Sequence, residues 1–329
     1  MSTLAKTTAS LEQIMEEIAP GLEKVEDLRY GENPHQQGIL YRPGGAPWPV
    51  EMLHGKPMSY LNWWDANGAW SALQDFTPDV PTVAIIKHGG PCGIATGSTF
   101  LEAYRQARLC DTTSAYGGIV AFNGEVDYAF AREICDKKHF LEVIIAPSYE
   151  AGALQHLMAE KANLRILKHG AINSKVSVRS IFNGAGYLVQ TPDMGTPDFD
   201  PSTWRCVTEQ QPTEDQIRDM LLAWKVAKQA ISNAIVFVRD NEVIGLGVGQ
   251  ANRARSVKFA GDQAGDRAVR GVMASDAFFP KPDGLQEALR YGIHAVVQPG
   301  GSEQDEAVIA LADSCGITMM FTGHRHFRH

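Results

Sequence analysis

The sequence predicts an α/β protein built from two subdomains. Its 329 residues are enough for roughly two domains of about 150 residues each. Hydrophobic residues make up 44% and charged residues 21%, a composition that allows a sizeable core and excludes wholesale disorder. Runs typical of buried strands alternate with helical stretches along most of the chain, which is the pattern of α/β folds.

The first predicted element is a short amphipathic helix over residues 10–19. Ser10 and Gln13 form a capping-box pattern, apolar residues recur on one helical face, and Pro20 ends the helix. On this basis we assign residues 1–25 to an N-terminal helical arm.

Residues 26–182 are the first predicted subdomain, in which strands and helices alternate. Its clearest elements are strands at 82–86, 118–122 and 143–146, and helices at 99–108 and 127–136. Residues 183–212 are rich in Gly, Pro, Thr and Asp and are predicted to be a connector.

Residues 213–329 are the second predicted subdomain, again α/β. It opens with a predicted helix over 214–230. A hairpin pattern follows, with strands at 234–238 and 243–248 and a turn at Asp240-Asn241.

Charge and cysteine content exclude several classes of protein. Thirty basic and 38 acidic side chains leave a net charge of −8, which argues against a nucleic-acid binder with a broad basic face. The five cysteines are odd in number and scattered, so no disulfide framework is expected and a reducing cytoplasm fits best. No apolar run reaches membrane-spanning length, and we expect neither a membrane nor a nucleic-acid partner.

A basic pair directly follows the apolar run 83–86, at the start of a glycine-rich turn. Histidine titrates near neutrality, so His88 could accept and return a proton, while the ammonium of Lys87 could stabilise developing negative charge. The pair suits transfer chemistry at a carbonyl carbon, although a histidine that merely packs a turn would give the same pattern. Pro91-Cys92 resembles the zinc turn of nucleoside deaminases, but Ala95 stands where a second cysteine is needed, so no metal site is predicted.

Three other segments carry residue types that bind ligands. The turn over 28–36 joins a guanidinium, a phenol and an imidazole and could hold a phosphate, or it could be an ordinary surface turn. Glycines at 117–118 could let the backbone approach a flat ligand. Arg253 opens a predicted helix where an anion would be favoured, but Asn252 replaces the third glycine of a dinucleotide loop.

The last part of the chain offers two further segments. Phe278 and Phe279 could lie against a heteroaromatic ring whose N–H groups a nearby carboxylate accepts, or they could belong to the core. Residues 323–329 are basic and rich in histidine, and composition alone favours a frayed tail over a casual metal binder.

Taken together and in this order, the segments resemble the formyltransferase domain of the bifunctional purine-biosynthesis enzyme. That domain formylates 5-aminoimidazole-4-carboxamide ribonucleotide (AICAR) with 10-formyltetrahydrofolate. The matching stretches run from Arg29 to His329 and are R-Y-G-E-N-P-H-Q, K-H-x-x-P-C-G, S-A-Y-G-G, E-V-I-I-A-P, S-N-A-I, G-x-G-x-G-Q-x-x-R, S-D-A-F-F-P, Q-P-G-G-S and T-G-x-R-H-F-R-H.

The resemblance implies a pair of cytidine-deaminase-like α/β subdomains without catalytic zinc. It also implies a homodimer with active sites at the subunit interface. No tightly bound cofactor is expected, and the sequence leaves open whether a monovalent cation such as K⁺ is bound. Because the first motif already begins at Arg29, we expect this chain to formylate AICAR without closing the ring, and a separate IMP cyclohydrolase would be a natural partner.

The resemblance also assigns roles to individual residues. His88 is similar to the family's proton acceptor and Lys87 to its transition-state stabiliser. The positions that correspond to the AICAR site are Arg29, Tyr30, Gly117, Glu142, Asn233 and Arg253. The positions that correspond to the folate site are Ala254, Phe278, Asp283, Gly300, Gly301 and Arg325.

Some positions depart from the family pattern. Gly90 replaces the usual Asn before the proline, Ile231 replaces Lys before S-N-A-I, and Lys281-Pro282 replaces Phe-Arg or Phe-Lys. These departures keep two alternatives open: a catalytically inactive AICAR or folate sensor, and a formyltransferase with a different donor. A donor system of formate and ATP is disfavoured by the lack of a P-loop motif.

Overall fold

The computed structural model describes residues 10–136, 139–170, 177–181, 186–193 and 197–329. It is an α/β protein with two six-stranded sheets. The helices are α1 (Leu11–Ile18), α2 (Tyr60–Ala72), α3 (Phe100–Cys110), α4 (Tyr128–Cys135), α5 (Ala151–Glu160), α6 (Glu214–Gln229), α7 (Arg253–Ala264), α8 (Asp283–Arg290) and α9 (Asp305–Ser314).

The strands comprise the two large sheets and three two-stranded pairs. They are β1 (Leu22–Leu28), β2 (Gly38–Pro43), β3 (Val50–His54), β4 (Thr82–Lys87), β5 (Gly90–Thr96), β6 (Gly118–Phe122), β7 (Glu125–Val126), β8 (Leu141–Ala146), β9 (Ser148–Tyr149), β10 (Arg165–His169), β11 (Ser177–Ile181), β12 (Gly186–Gln190), β13 (Arg205–Cys206), β14 (Ile235–Arg239), β15 (Glu242–Gly247), β16 (Val272–Ser275), β17 (Ala295–Gln298) and β18 (Thr318–Phe321).

The two large sheets repeat one topology. The first has the order β3-β10-β8-β6-β4-β5 and the second the order β13-β18-β17-β16-β14-β15. In each, the three central strands are parallel, and a hairpin is attached antiparallel at one side: β4–β5 on β6, and β14–β15 on β16. The chain therefore builds the same helix, hairpin and parallel-strand unit twice.

One apolar cluster joins the two units through helices α2 and α6. Both helices begin with a capping box, at Ser59 and at Thr213, which satisfies backbone donors at the first turn. Fully buried Ala69 of α2 and Trp224 of α6 belong to the same cluster as residues of both sheets. Removing this apolar surface from water, at about 25 cal/mol per Å², stabilises the contact between the units.

Several predicted elements are confirmed. The predicted helix over 10–19 is α1, with the capping box at Ser10 formed as expected. The predicted hairpin is β14–β15, and it turns at Asp240 and Asn241, both with positive φ. Among the helices in the described part of the chain, none has the length and apolar character needed to cross a lipid bilayer.

The prediction of a frayed C-terminal tail is wrong. His326 is only 2% exposed, and its ring nitrogens lie 2.8 Å from Asp193 Oδ2 and 2.8 Å from Asp198 Oδ2. Its ring also stacks on Phe199. Composition suggested a solvated basic tail because the two carboxylates that bind this histidine lie more than a hundred residues earlier in the chain.

Candidate active site

Lys87 and His88 lie where the first sheet's hairpin turns. The five residues before them are fully buried in β4, so the hydrophobic run fixes the strand and delivers the pair to its end. His88 and Gly89 are the two central residues of the turn, with φ of 54° and 76°. Positive φ at both positions is that of a type I′ turn, which matches the twist of a hairpin.

The turn leaves the histidine ring exposed on a constrained backbone. A left-handed conformation costs a non-glycine residue on the order of 1 kcal/mol, although His accepts it more readily than most residues. Asp65 of α2, only 7% exposed, binds this backbone: its Oδ2 accepts the His88 N–H at 3.1 Å and its Oδ1 accepts the Gly89 N–H at 2.7 Å. Sequence reasoning missed Asp65, whose signal was an acidic residue among the apolar residues of a helix.

Lys87 points along the same sheet edge toward Gly117. Its ammonium donates to the Tyr116 carbonyl oxygen at 2.7 Å. Gly117 has a φ of 76°, and a Cβ there would lie 3.3 Å from the Phe140 ring and 4.0 Å from Lys87 Nζ. The positive φ therefore favours glycine at this position, beside the ammonium.

Glu142 lies at the start of β8, at the same edge. Its Oε2 accepts a hydrogen bond from Arg165 Nη1 at 2.6 Å, and Arg165 itself is buried. Because β4 runs antiparallel to β6, the Lys87–His88 turn meets the amino ends of the parallel strands β6 and β8. This differs from the usual location of α/β sites at carboxyl ends, and the antiparallel hairpin is the reason.

Asn233, which precedes β14, and Arg253, the first residue of α7, form a second cluster beside the second sheet. Arg253 Nη2 donates to Asn233 Oδ1 at 2.6 Å and its Nη1 to Ser275 Oγ at 2.8 Å, and it forms an ion pair with Asp276. Asp276 is fully buried and also accepts from Ser232 Oγ at 2.5 Å. The guanidinium predicted to attract an anion is thus already paired with an internal carboxylate.

Most of the residues predicted to bind folate follow strand ends of the second sheet. The parallel strands β16, β17 and β18 end side by side at Ser275, Gln298 and Phe321. Half-buried Phe278, the exposed Asp283, Gly300, Gly301 and Arg325 follow these carboxyl ends, and Ala254 lies in the first turn of α7. Phe279, in contrast, is fully buried in the core, as the alternative interpretation of that segment expected.

The C-terminal segment approaches both groups of residues. Ser232 N–H donates to the Arg328 carbonyl oxygen at 2.9 Å, which ties the segment to the Asn233 cluster. Arg328 Nη2 lies 3.8 Å from the position of a Cβ on Gly68, and Ile86 Cγ2 lies 3.6 Å from that position. Because Gly68 follows Asp65 by three residues on α2, Arg328 contacts the helix that holds the His88 turn.

Arg29 and Tyr30 lie outside the two large sheets. They follow β1, where the Arg29 guanidinium lies 5.4 Å from the centre of the Tyr30 ring. Arg29 lines a cavity of about 550 Å³ together with His35 and residues of α1. No hydrogen bond or ion pair in the described ranges joins Arg29 or Tyr30 to Lys87 or His88.

Near this turn, the described residues offer neither a thiolate nor a cluster of metal ligands. Burial raises the pKa of Cys92 to about 12, so this thiol stays protonated at neutral pH. Among the residues that the structure describes, no group of three or more His, Cys, Asp and Glu side chains is arranged to hold a metal ion.

Comparison with known proteins gives one family and a series of relatives. The family described as AICARFT/IMPCHase bienzyme matches residues 1–263. Relatives called bifunctional purine biosynthesis protein PurH include those of Desulfitobacterium hafniense (45% identical, covering 95% of this chain and 60% of the relative) and Xanthomonas axonopodis pv. citri (47%, 93% and 58%). The relative from Bacillus cereus is 45% identical, with 97% of this chain and 62% of the relative covered. The chain thus spans about 60% of the length of these curated relatives.

Proposed function

Because this chain belongs to the AICARFT/IMPCHase bienzyme family, we propose that it is a folate-dependent AICAR formyltransferase of purine (IMP) biosynthesis. It transfers the formyl group of 10-formyltetrahydrofolate to the 5-amino group of AICAR and releases formyl-AICAR and tetrahydrofolate. The observation that carries this proposal is the exposed imidazole of His88 beside the ammonium of Lys87, on a turn clamped by a buried carboxylate.

In this reaction, His88 removes a proton and later returns it. The amine nitrogen of AICAR attacks the formyl carbon while the imidazole takes the amine proton. The tetrahedral oxyanion then collapses, the bond to folate N10 breaks, and N10 receives a proton as tetrahydrofolate leaves. The amine is a weak nucleophile because the ring and the carboxamide withdraw its lone pair, so positioning and proton removal supply much of the rate.

Lys87 stabilises the oxyanion. An ammonium has three N–H donors, and the Tyr116 carbonyl takes one of them. The remaining donors are available to an oxyanion that develops above the sheet edge. A positive charge fixed in this way favours the transition state over the neutral formyl group.

The nucleotide and the folate are bound by the two sets of residues that the family resemblance assigns. AICAR is bound by Arg29, Tyr30, Gly117, Glu142, Asn233 and Arg253. The folate is bound by Ala254, Phe278, Asp283, Gly300, Gly301 and Arg325. In support, Gly117 lies beside Lys87, and the folate residues follow neighbouring strand ends. No tightly bound cofactor takes part, and K⁺ is a candidate monovalent cation.

The active protein is a homodimer whose sites are completed by the partner subunit. Arg29 and Tyr30 have no described polar contact with the His88 turn of the same chain, which fits a role in the partner's site. The β11–β12 hairpin supplies an apolar surface for such an interface: Val178, Tyr187 and Val189 share one face of the strand pair and are 57%, 49% and 63% exposed. Exposed apolar patches of this kind are typical of protein interfaces.

The repeated unit supports the finer assignment of the fold. We assign residues 26–182 and 213–329 to two cytidine-deaminase-like subdomains without catalytic zinc, joined by the connector 183–212 and preceded by the arm 1–25. The connector contributes β13 as the edge strand of the second sheet, and β1 begins within the arm at Leu22. The five cysteines are free, which fits a reducing cytoplasm. A separate IMP cyclohydrolase is the expected partner in the pathway.

A product assay tests the proposed function. Purified protein is incubated with AICAR and 10-formyltetrahydrofolate, and formyl-AICAR and tetrahydrofolate are measured by mass spectrometry. We expect both products in equal amounts. Binding of AICAR without turnover would instead indicate a sensor, the alternative that the departures at Gly90 and Ile231 keep open. Turnover with a different formyl compound only would identify another donor.

A further inference from the structure

We propose that Asp65 is a positioning residue for the formyl transfer, because its carboxylate fixes the backbone from which the His88 imidazole acts. This inference rests on the proposed function and adds a residue to it. Asp65 does not face the proposed substrates: it lies buried in α2, and both of its carboxylate oxygens accept N–H groups of the turn.

The turn needs an external partner because its sequence does not favour its shape. Two-residue hairpin turns with positive φ prefer Asn-Gly or Asp-Gly, whose first side chain tolerates the left-handed region. Here the first position is His88, with a φ of 54°. Two successive N–H groups in such a turn converge on one side and bind an anion, and the Asp65 carboxylate is that anion.

The second unit of the fold has the same arrangement, a helix carboxylate bound to a hairpin turn, but its turn carries no residue of the proposed reaction. Asp219 of α6 accepts the Asp240 N–H at 2.9 Å on Oδ2 and the Asn241 N–H at 2.8 Å on Oδ1. Asp240 and Asn241 have φ of 53° and 61°, close to the values at His88 and Gly89. Asp65 and Asp219 both lie in the second turn of a helix that begins with a capping box.

The carboxylate has a different role in each unit. In the second unit the Asp219 carboxylate binds a turn of Asp and Asn, residues that adopt this shape readily. There it contributes only to the stability of the fold. In the first unit the Asp65 carboxylate holds a residue that would otherwise leave the left-handed region more often. Loss of Asp65 therefore lets the His88 imidazole change its orientation. Loss of Asp219 changes the orientation of no residue that takes part in the proposed reaction.

The test compares Asp65→Asn with Asp219→Asn in the full chain. An amide can accept only one of the two N–H groups, and its own NH₂ opposes the other. We expect Asp65→Asn to lower kcat about 100-fold, the effect of a misplacement of about 1 Å, with KM for AICAR within threefold of wild type. We expect Asp219→Asn to keep kcat within twofold of wild type. Its Tm should fall by about as much as that of Asp65→Asn, because both variants lose equivalent hydrogen bonds to a turn.

A conservative variant keeps the test decisive if Asp65→Asn does not fold. Asp65→Glu retains the charge but moves the carboxylate by one methylene, so we expect a kcat between those of wild type and Asp65→Asn. A folded Asp65→Glu protein with wild-type kcat, or equal losses of kcat in Asp65→Asn and Asp219→Asn, would overturn the proposal. If the wild-type protein is active, the proposed function holds whatever these variants show. If the wild type is inactive, both the proposed function and the role of Asp65 fail.

Discussion

His88 combines an exposed imidazole with a backbone conformation that few residue types adopt. Its φ of 54° lies in the region that normally selects Gly, Asn or Asp. Non-glycine residues in such conformations cluster at functional sites, because selection there acts on the side chain rather than on the turn. The sequence could predict the basic pair and the preceding buried strand, but not the left-handed conformation, because the residue that enforces it lies in another element.

The first prediction concerns His88→Ala. We expect kcat to fall about 100-fold or more, since a positioned general base typically contributes 10²–10⁴-fold. The dissociation constant of AICAR, measured by calorimetry, should change by less than fivefold because other residues hold the nucleotide. His156→Ala on α5 is the control, with kcat expected at the wild-type value. Unchanged turnover in His88→Ala would remove this residue from the mechanism.

At the scale of elements, local signals predicted helices and hairpins well. The turn at Asp240-Asn241 could be predicted because both residues favour left-handed backbone, and α1 because Ser10 and Gln13 cap it. The β4–β5 hairpin was not predicted, because Pro and Gly residues after His88 are typical of a loop. Strand order could not be predicted from the sequence either, since it depends on contacts between distant segments such as β10 and β3.

The close packing of β5 on α3 gives the second prediction. A Cβ on Gly93 would lie 1.9 Å from the Ala107 carbonyl oxygen, whereas a Cβ on Gly90 of the same strand would meet nothing within 4 Å. We expect Gly93→Ala to lower the free energy of unfolding by about 2–3 kcal/mol, the usual cost of overpacking. Gly90→Ala, the matched control, should change it by less than 1 kcal/mol in urea titrations. Equal stability of the two variants would contradict this packing.

For the whole molecule, long-range polar contacts hold the two units and the C-terminal segment together. Lys228 of α6 forms a buried ion pair with Asp75, which follows α2, at 2.8 Å. His326 lies between Asp193 and Asp198, next to the ring of Trp224. None of these pairs could be predicted from the sequence, because their members are separated by more than a hundred residues and by no regular spacing.

The environment of His326 makes stability depend on pH. Burial lowers the pKa of this histidine, but hydrogen bonds and charge from Asp193 and Asp198 outweigh burial and raise it to about 9. The folded state therefore holds the proton more tightly than the unfolded state, whose histidine has its ordinary pKa of about 6.5. The resulting stabilisation is complete below pH 6.5 and is lost as the pH rises through 9.

The third prediction follows from this linkage. Between pH 6.5 and 9 the free energy of unfolding should fall by up to about 1.4 kcal/mol per pH unit. His326→Gln should remove most of that slope, which urea titrations at several pH values would measure. His156→Gln is the control and should keep the wild-type slope. The same slope in His326→Gln as in wild type would contradict the assignment.

The fourth prediction concerns the proposed homodimer. Val178 and Val189 are directly opposite each other in the β11–β12 hairpin and both are exposed. We expect Val189→Asp to convert a dimer into monomers in sedimentation velocity and to lower turnover at least tenfold, because a buried unpaired charge is costly and the site loses its partner residues. Gln190→Asp, the adjacent residue of β12, should remain dimeric and active. A wild-type monomer with full activity would refute the shared site.

A crystal structure of the protein with AICAR bound would test the proposed mechanism at its reacting atoms. We expect the 5-amino nitrogen to lie within about 2.6–3.2 Å of a ring nitrogen of His88, or to reach it through one water molecule. We also expect the ammonium of Lys87 to face the side from which the formyl group enters. A nucleotide bound at a distance from this imidazole would contradict the mechanism.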